Sequence, residues 1–285
     1  MKRTIVNICC LGHSGSTLLG NILGSHSSGL HIGELVAPLK KGKPIVCRNC
    51  LDQPCPIWGK VITPKYMRKV YNDFTTPSSF SFIRNYKSKL YHKLFKAFNN
   101  VDFIVDSSKN VNWYKYNSQN ESLNYKFIFL KRTPAAIVAS LKRGYNEDVE
   151  VSMTKIRDIQ IHINSYFKEI PVQNKLVVEY EDLILYPEKV ILRICDFLSL
   201  EYEADVLKIN QFDHHLIGGN QGMLIQKNHN IIREVDQLID VKTPGSTVDY
   251  YKSLNGLRLD LRWEQELSQR EKKVIERSSN HFFVY

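Results

Sequence analysis

The sequence predicts an α/β protein with three layers, in which helices cover both faces of a mainly parallel central sheet. Short apolar runs alternate with segments of helical periodicity along the chain, which is the pattern of parallel strands joined by helical crossovers. The 285 residues, 43% of them hydrophobic, suffice for a sizeable core. No internal repeat or low-complexity linker interrupts the pattern, so we predict a single domain over residues 1–285.

The first strand, the first loop and the first helix are predicted within residues 4–24. An apolar run meets a turn rich in Gly, Ser and Thr, and an apolar-periodic segment follows. Gly12 and Gly15 permit a sharp turn close to a ligand, and the following helix N-terminus offers unpaired N–H groups, so the loop suits a phosphate. The ATP-binding pattern G-x-x-x-x-G-K-[ST] is broken, because Cys10 replaces its first glycine and Ser16 its lysine. A plain turn between any strand and helix is the alternative.

Three further strands are predicted at 101–106, 125–130 and 176–180, each a short apolar run. Helices are predicted within 66–100 with a break at Pro77, from Pro134 with Thr133 as N-cap, over 151–169, over 187–198, and from Trp263 to about Asn280. Residues 38–65 are expected to be irregular, and 31–36 to form a short segment near the first loop. Polar groups that follow parallel strands converge on one sheet edge, where such folds bind ligands.

Charge and hydropathy narrow the classes of function. No apolar run approaches the roughly 20 residues that span a bilayer. Lys2 and Arg3 before an apolar run resemble a signal peptide, but the run continues into the first loop, so we predict a core strand and a cytoplasmic protein. The formal net charge of +10 favours anionic partners. No nucleic-acid-binding motif is found, so a phosphorylated small molecule is preferred over nucleic acid.

Three of the six cysteines form the pattern C-x2-C-x4-C, at Cys47, Cys50 and Cys55. Zinc needs a fourth ligand, and none stands nearby at a matching spacing. We therefore predict no metal and interpret the segment as a thiol-lined loop packed under Trp58. A disulfide among the three stays open, although a cytosolic setting disfavours it.

Five segments together resemble the sulfotransferases that use 3′-phosphoadenylyl sulfate (PAPS). Residues 12–19 are similar to that family's 5′-phosphosulfate loop, and residues 129–140 to its 3′-phosphate motif. Residues 180–183 resemble its Y-E-D-L stretch, 215–220 its H-x-I-G-G-N loop and 50–58 its C-P-x-W loop. The five segments keep the family's order, and the resemblance as a whole runs from residue 4 to about residue 263.

The resemblance implies a P-loop NTPase-like sulfotransferase fold and a metal-independent enzyme. Such an enzyme moves a sulfuryl group from PAPS to a hydroxyl or amine of a small molecule or glycan and leaves adenosine 3′,5′-bisphosphate. Carried over to this sequence, the nucleotide-binding residues are Ser14, Gly15, Ser16 and Thr17 at the 5′ end, Arg132 and Ser140 at the 3′-phosphate, and Asn220 closing over the nucleotide.

Three residues are the candidates for catalysis. Glu34 is the predicted general base, because the tyrosylprotein branch of the family carries a glutamate in a similar segment. His13 stands where the loop usually has Lys or Arg, and it is expected to hydrogen-bond the sulfuryl oxygens. Lys109, in an S-K sequence, is expected to neutralise sulfuryl charge. The alternatives are a surface or capping glutamate, a surface loop histidine and a solvated lysine.

Two other functions compete with sulfuryl transfer. A P-loop nucleotide or sugar kinase would share the loop, but the Walker lysine is missing. A basic, non-catalytic protein that binds nucleic acid or sulfated glycan would share the net charge. Thr133 also departs from the family's R-D-P pattern, where an aspartate is usual.

Overall fold

A computed structural model describes residues 2–36, 46–50, 55–59, 61–75, 89–220, 249–250 and 257–279. Five strands form one parallel sheet in the order β2-β3-β1-β4-β5. The strands are β1 (Thr4–Cys9), β2 (Gly29–Gly33), β3 (Phe103–Asp106), β4 (Asn124–Lys131) and β5 (Lys175–Glu179). Both β1 and β2 pair in parallel with β3. The predicted α/β class with a parallel sheet is thereby confirmed.

Most helices of the described part lie at predicted positions, but the helix Val111–Ser118 was not predicted. The helices are α1 (Ser16–Gly24), α2 (Pro64–Thr75), α3 (Leu90–Ala97), α4 (Val111–Ser118), α5 (Pro134–Tyr145), α6 (Val149–Glu169), α7 (Tyr180–Leu185), α8 (Pro187–Leu198), α9 (Trp263–Glu266) and α10 (Gln269–Ser279). Proline occupies the start of α5 and of α8, where its missing N–H costs no hydrogen bond. The predicted break at Pro77 lies outside the described residues.

Three secondary-structure predictions need correction. Gly29–Gly33 is a strand, β2, at the edge of the sheet, although two glycines in five residues give weak strand propensity; pairing with β3 overrides it. Tyr180 begins helix α7 instead of ending β5. The predicted final helix is two helices, because the chain is extended at Leu267 between α9 and α10.

The chain forms two compact units, and each is described by itself. The first comprises residues 1–9, 17–128 and 203–219. Its core contains a fully buried carboxylate, Asp106, at the end of β3. Asp106 accepts hydrogen bonds from Tyr91 Oη at 2.7 Å, Trp113 Nε1 at 2.9 Å and the Ser108 backbone N–H at 2.8 Å. Burial raises the pKa of Asp106, and these donors offset part of the rise.

A buried histidine joins β2 to helix α1 in the same unit. His31 Nδ1 lies 2.9 Å from Asn21 Oδ1, and its Nε2 lies 3.0 Å from Ser107 Oγ. Gly20 makes room for the ring, because a Cβ atom there would lie 2.4 Å from it. Burial, together with smaller effects of the nearby charges of His214 and Lys109, lowers the pKa of His31 to about 3. His31 is therefore a neutral core residue at physiological pH.

The second unit comprises residues 10–16, 129–202 and 220–285, of which the described part includes α5 to α10. Two ion pairs tie α5 to the C-terminal helices. Lys142 Nζ lies 2.6 Å from Glu271 Oε1, and Arg143 Nη2 lies 2.6 Å from Glu266 Oε2. Hydrogen bonds from Lys142 and from the backbone N–H and hydroxyl of Ser268 lower the pKa of Glu271 to about 2.

Among the described residues, none of the helices combines the length and the apolar character that a membrane crossing requires.

Candidate active site

The loop after β1 has a backbone that only certain residues accept. His13 and Gly15 have φ values of +64° and +90°, both in the left-handed region. At Gly15 a Cβ atom would lie 2.4 Å from the ring of Tyr180, so no other residue fits there without displacing the ring. The side chains of Ser14, Ser16 and Thr17 are nearly fully buried, and α1 begins at Ser16. The predicted strand, loop and helix are confirmed.

Arg132 and Ser140 both contact the first loop at His13. The Arg132 Nη1 donates to the backbone carbonyl of His13 at 2.7 Å. Ser140 Oγ lies 2.9 Å from His13 Nδ1. Strand β4 ends one residue before Arg132, and Ser140 lies in the second turn of α5, so one strand–helix junction supplies both groups. The residues of two predicted phosphate-binding motifs therefore meet.

Arg132 is a buried cation. Its side chain is 9% exposed, and its guanidinium carbon lies 4.5 Å from the centre of the Tyr180 ring. Nη2 lies 3.7 Å from Asp260 Oδ2, and Nε has no hydrogen-bond partner within the described segments. Arg132 is therefore shielded from solvent. A buried guanidinium with an unused donor suits an anionic ligand.

Asp260 is the carboxylate beside Arg132, and a second arginine holds it. Arg262 donates to Asp260 through Nε and Nη2, both at 2.8 Å, in a two-pronged ion pair. Burial alone would raise the pKa of Asp260, but the hydrogen bonds and charge of Arg262 outweigh it, and the pKa stays below its usual value. Two arginines against one carboxylate leave this cluster with net positive charge.

The start of α5 shows how the chain compensates for the missing aspartate of the R-D-P pattern. Thr133 is the N-cap residue as predicted, but its side chain does not cap the helix. Instead, Glu181 Oε1 accepts from the Thr133 backbone N–H at 2.9 Å and from its hydroxyl at 2.7 Å. A carboxylate from α7 thus accepts the unpaired N–H at the start of α5. Its negative charge also interacts favourably with the positive end of the helix dipole.

In the first unit, Glu34 and Lys109 form an ion pair. Lys109 Nζ lies 2.5 Å from Glu34 Oε1, and the side chains are 18% and 16% exposed. The alternatives of a surface glutamate and a solvated lysine are both wrong, and the cap of α4 is Asn110, which accepts from the Trp113 N–H. The predicted base and the predicted cation are therefore in direct contact.

Hydrogen bonds of the backbone hold the chain at or next to both members of this ion pair. Lys109 has a φ of +55°, and its N–H donates to Tyr114 Oη at 2.8 Å, which in turn donates to the Ile8 carbonyl. Next to Glu34, the N–H of Leu35 donates to Ser108 Oγ at 3.0 Å. The end of β3 and the end of β2 thus fix the two charged side chains.

The glycine turn at 218–219 adjoins both Glu34 and the end of the first loop. Ile217 forms a β-bridge with Gly33, which brings the turn beside β2. A Cβ atom at Gly218 would lie 3.1 Å from Glu34 Cβ, and one at Gly219 would lie 3.2 Å from Thr17 Oγ1. Asn220, the next residue, is exposed. Its predicted contact with a nucleotide stays a prediction.

The structure thus forms two groups of predicted site residues. His13, Arg132 and Ser140 meet in the second unit, and Glu34 meets Lys109 in the first. Sequence reasoning missed the roles of Tyr180, Glu181 and Asp260. The Y-E-D-L motif marked the first two without a role, whereas Asp260 stands in a segment without periodicity, so no signal pointed to it.

The chain resembles known proteins in one segment of its sequence and in its fold. Residues 124–204 match the model of a family described as the sulfotransferase family. The chain is similar in structure to the "Sulfotransferase Domain from the Curacin Biosynthetic Pathway", with 18% identity, a TM-score of 0.54 and 99% of each chain covered.

It is also similar to the sulfotransferase domain from the Synechococcus PCC 7002 olefin synthase, with 20% identity and a TM-score of 0.49, over 96% of this chain and 94% of that one. A search of curated proteins gave no significant match.

The fold is therefore that of the sulfotransferases, as the motifs predicted. The family match covers residues 124–204, the segment that carries β4, Arg132, Ser140 and the Tyr180–Glu181 pair. The family match over this segment supports proposing sulfuryl transfer, and the structural likeness shows the fold alone.

Proposed function

We propose that the protein transfers a sulfuryl group from PAPS to a hydroxyl or amine of a small molecule or glycan. The observation that carries this proposal is the meeting of Arg132 and Ser140 at His13 of the first loop. Two phosphate-binding motifs that share one contact can hold the two anionic ends of one nucleotide. The net charge of +10 is consistent with such a ligand.

At the 3′ end of the nucleotide, Arg132 would bind the 3′-phosphate. The guanidinium offers a planar fork that matches a phosphate, and its buried Nε is an unused donor among the described residues. Ser140 would add a hydroxyl donor. The 3′-phosphate distinguishes PAPS from ATP, so these two residues would give the enzyme its choice of nucleotide.

At the 5′ end, the first loop would hold the phosphosulfate. The N–H groups and hydroxyls of Ser14, Ser16 and Thr17 stand where α1 begins, at the positive end of a helix dipole. His13 would donate a hydrogen bond to the sulfuryl or bridging oxygens. Negative charge grows on the bridging oxygen as the S–O bond breaks, so these donors would lower the barrier.

The acceptor would be activated by Glu34. Its carboxylate would take the proton from the acceptor as the acceptor oxygen or nitrogen attacks sulfur in line with the leaving phosphate. Lys109, in contact with Glu34, would neutralise charge on the sulfuryl oxygens during transfer. A base and a cation held in one ion pair would thus serve the two reacting groups.

The proposal is tested by a calorimetric titration of the purified protein with adenosine 3′,5′-bisphosphate. Adenosine 5′-monophosphate is the matched control, since it lacks only the 3′-phosphate. We expect the bisphosphate to bind at least about 30-fold tighter, because the lost contact is a charge-assisted fork. Equal affinities, or no binding by folded protein, would contradict the proposal.

The same samples test the rival functions. Magnesium-dependent turnover of ATP would favour a kinase. Steeply salt-dependent binding of a long polyanion, with no effect of the nucleotide, would favour a non-catalytic binding protein. The single domain over 1–285, the absence of nucleic acid among the partners and the cytoplasmic location stay predictions.

A further inference from the structure

Three cysteines and one histidine converge at a single point in the first unit. Cys47, Cys50 and Cys55 surround the ring of His215, and the four ligand atoms all lie within 4.8 Å of one another. The distances from His215 Nδ1 to the three sulfur atoms are 3.7, 3.2 and 3.7 Å. No disulfide joins the three cysteines.

These spacings match a tetrahedral zinc site. Zinc binds thiolate sulfur at about 2.3 Å and imidazole nitrogen at about 2.0–2.1 Å, and for tetrahedral angles a bound sulfur and nitrogen then lie about 3.6 Å apart. The three measured sulfur–nitrogen distances scatter around that value. The sulfur–nitrogen distances are therefore compatible with a metal ion held between the four atoms.

The chemical nature of the four ligands indicates which metal would bind. Three thiolates and one imidazole in tetrahedral arrangement are typical of zinc, whereas hard cations such as Mg²⁺ and Ca²⁺ prefer oxygen ligands. Cys47 and Cys55 are buried, and Cys50 and His215 are partly buried, so the site is shielded but can be reached. Four protein ligands complete the tetrahedron and leave no position for a substrate, which indicates a structural site.

The backbone around the cluster orients the ligands. Trp58 Nε1 donates to the His215 carbonyl at 2.6 Å, and the Arg48 N–H donates to the Leu216 carbonyl at 2.9 Å. The Trp58 N–H points to Cys55 Sγ at 3.4 Å, which is the kind of outer hydrogen bond that stabilises a metal-bound thiolate. Trp58 thus supports two of the four ligands, instead of only covering a thiol-lined loop.

We propose that Cys47, Cys50, Cys55 and His215 bind one structural zinc ion. The fourth ligand follows Cys55 by 160 positions, which is why the cysteine spacing alone argued against a metal. The ion links the cysteine loop to the segment that leads into the turn at 218–219. That turn packs against Glu34, so the metal would fix the surroundings of the predicted base.

Metal analysis of the full-length protein tests the proposal directly. Protein purified under reducing conditions without chelator is expected to contain close to one zinc per chain after gel filtration. Replacement by cobalt is expected to give thiolate-to-cobalt charge-transfer bands and the intense visible bands of a tetrahedral site. Folded protein that holds less than a tenth of an equivalent, and that gives no such bands with cobalt, overturns the proposal.

Two variants and a control separate the ligands from other thiols. Cys50→Ser is expected to lose at least about tenfold in zinc affinity. His215→Cys is expected to retain zinc and to intensify the charge-transfer bands, since a fourth thiolate is added. Cys195→Ser, a buried cysteine in α8, serves as the matched control and should keep its zinc. Equal zinc contents and affinities of Cys50→Ser and Cys195→Ser would contradict the assignment.

Discussion

The two groups of candidate residues differ in how their charges are balanced. Around Arg132, two arginines face one carboxylate, Asp260, so positive charge remains in excess. Glu34 and Lys109, by contrast, neutralise each other. A cluster with excess positive charge suits a permanent anion such as a phosphate. An ion pair with no net charge suits an uncharged acceptor that loses a proton during the reaction. The difference suggests nucleotide binding for the first group and chemistry for the second, and the two can be tested apart.

The largest effect is expected from Glu34→Gln. Removing a general base lowers turnover by about 10²–10⁴-fold, while the affinity for adenosine 3′,5′-bisphosphate should change less than about twofold. Initial rates with PAPS and an acceptor that the wild-type protein sulfates measure turnover, and calorimetry measures the affinity. Glu276→Gln, an exposed glutamate in α10, is the control. Unchanged turnover in the Glu34 variant would remove Glu34 from the mechanism.

Arg132→Ala, in contrast, is expected to act mainly on nucleotide affinity. Loss of a charge-assisted fork should weaken binding of the bisphosphate by about 2–3 kcal/mol, roughly 30–150-fold. Arg132→Lys should recover part of this affinity, because it keeps the charge but loses the planar fork.

Arg157→Ala is the control for this series, since its side chain is 59% exposed. If the two alanine variants bind the bisphosphate equally well, Arg132 has no part in the nucleotide site. Thermal unfolding of each variant shows whether the loss of the Arg132 bond to the His13 carbonyl destabilises the protein instead.

The pH dependence of stability should report the buried His31. Its pKa is about 3 in the folded protein and 6.5 when unfolded, so the unfolded chain binds the proton first as pH falls. The free energy of unfolding should therefore fall by about 1.4 kcal/mol per pH unit on account of His31 below pH 6.5, until about pH 3.

Urea unfolding at pH 7, 6 and 5 measures this slope. His31→Gln should flatten it relative to wild type, whereas His162→Gln, at an exposed position of α6, should leave it unchanged. Identical slopes in the wild-type protein and the His31 variant would show that His31 does not control it.

The smallest effect is expected at the start of α5. Glu181→Ala removes the acceptor of two hydrogen bonds from Thr133 and should cost about 1 kcal/mol of stability, as capping substitutions do. Thermal unfolding of Glu181→Ala, Thr133→Val and the double variant measures the coupling. Additive losses would show that the two side chains do not interact.

Most of the fold could be predicted because strands and helices with buried faces carry apolar residues at regular intervals in the sequence. Strands β1, β3 and β4 are buried apolar runs, and Pro134 and Pro187 mark helix starts. Strand β2 could not be found in this way, since its glycine-rich sequence carries little pattern and its pairing with β3 comes from residues more than 70 positions away.

The candidate site was predictable where a motif is local and not where partners are distant in sequence. The first loop and the Arg132–Ser140 pair stand in short segments with a recognisable order. Asp260 follows Arg132, and His215 follows the three cysteines, by more than a hundred positions, and no short-range spacing encodes such contacts.

One aromatic ring, that of Tyr180, touches the first loop on one side and carries the Arg132 guanidinium on another. A transfer of the first loop into a different protein would therefore also require this tyrosine. For the same reason, substitutions at position 180 would disturb the first loop and Arg132 at once, the two places where the proposed nucleotide would bind.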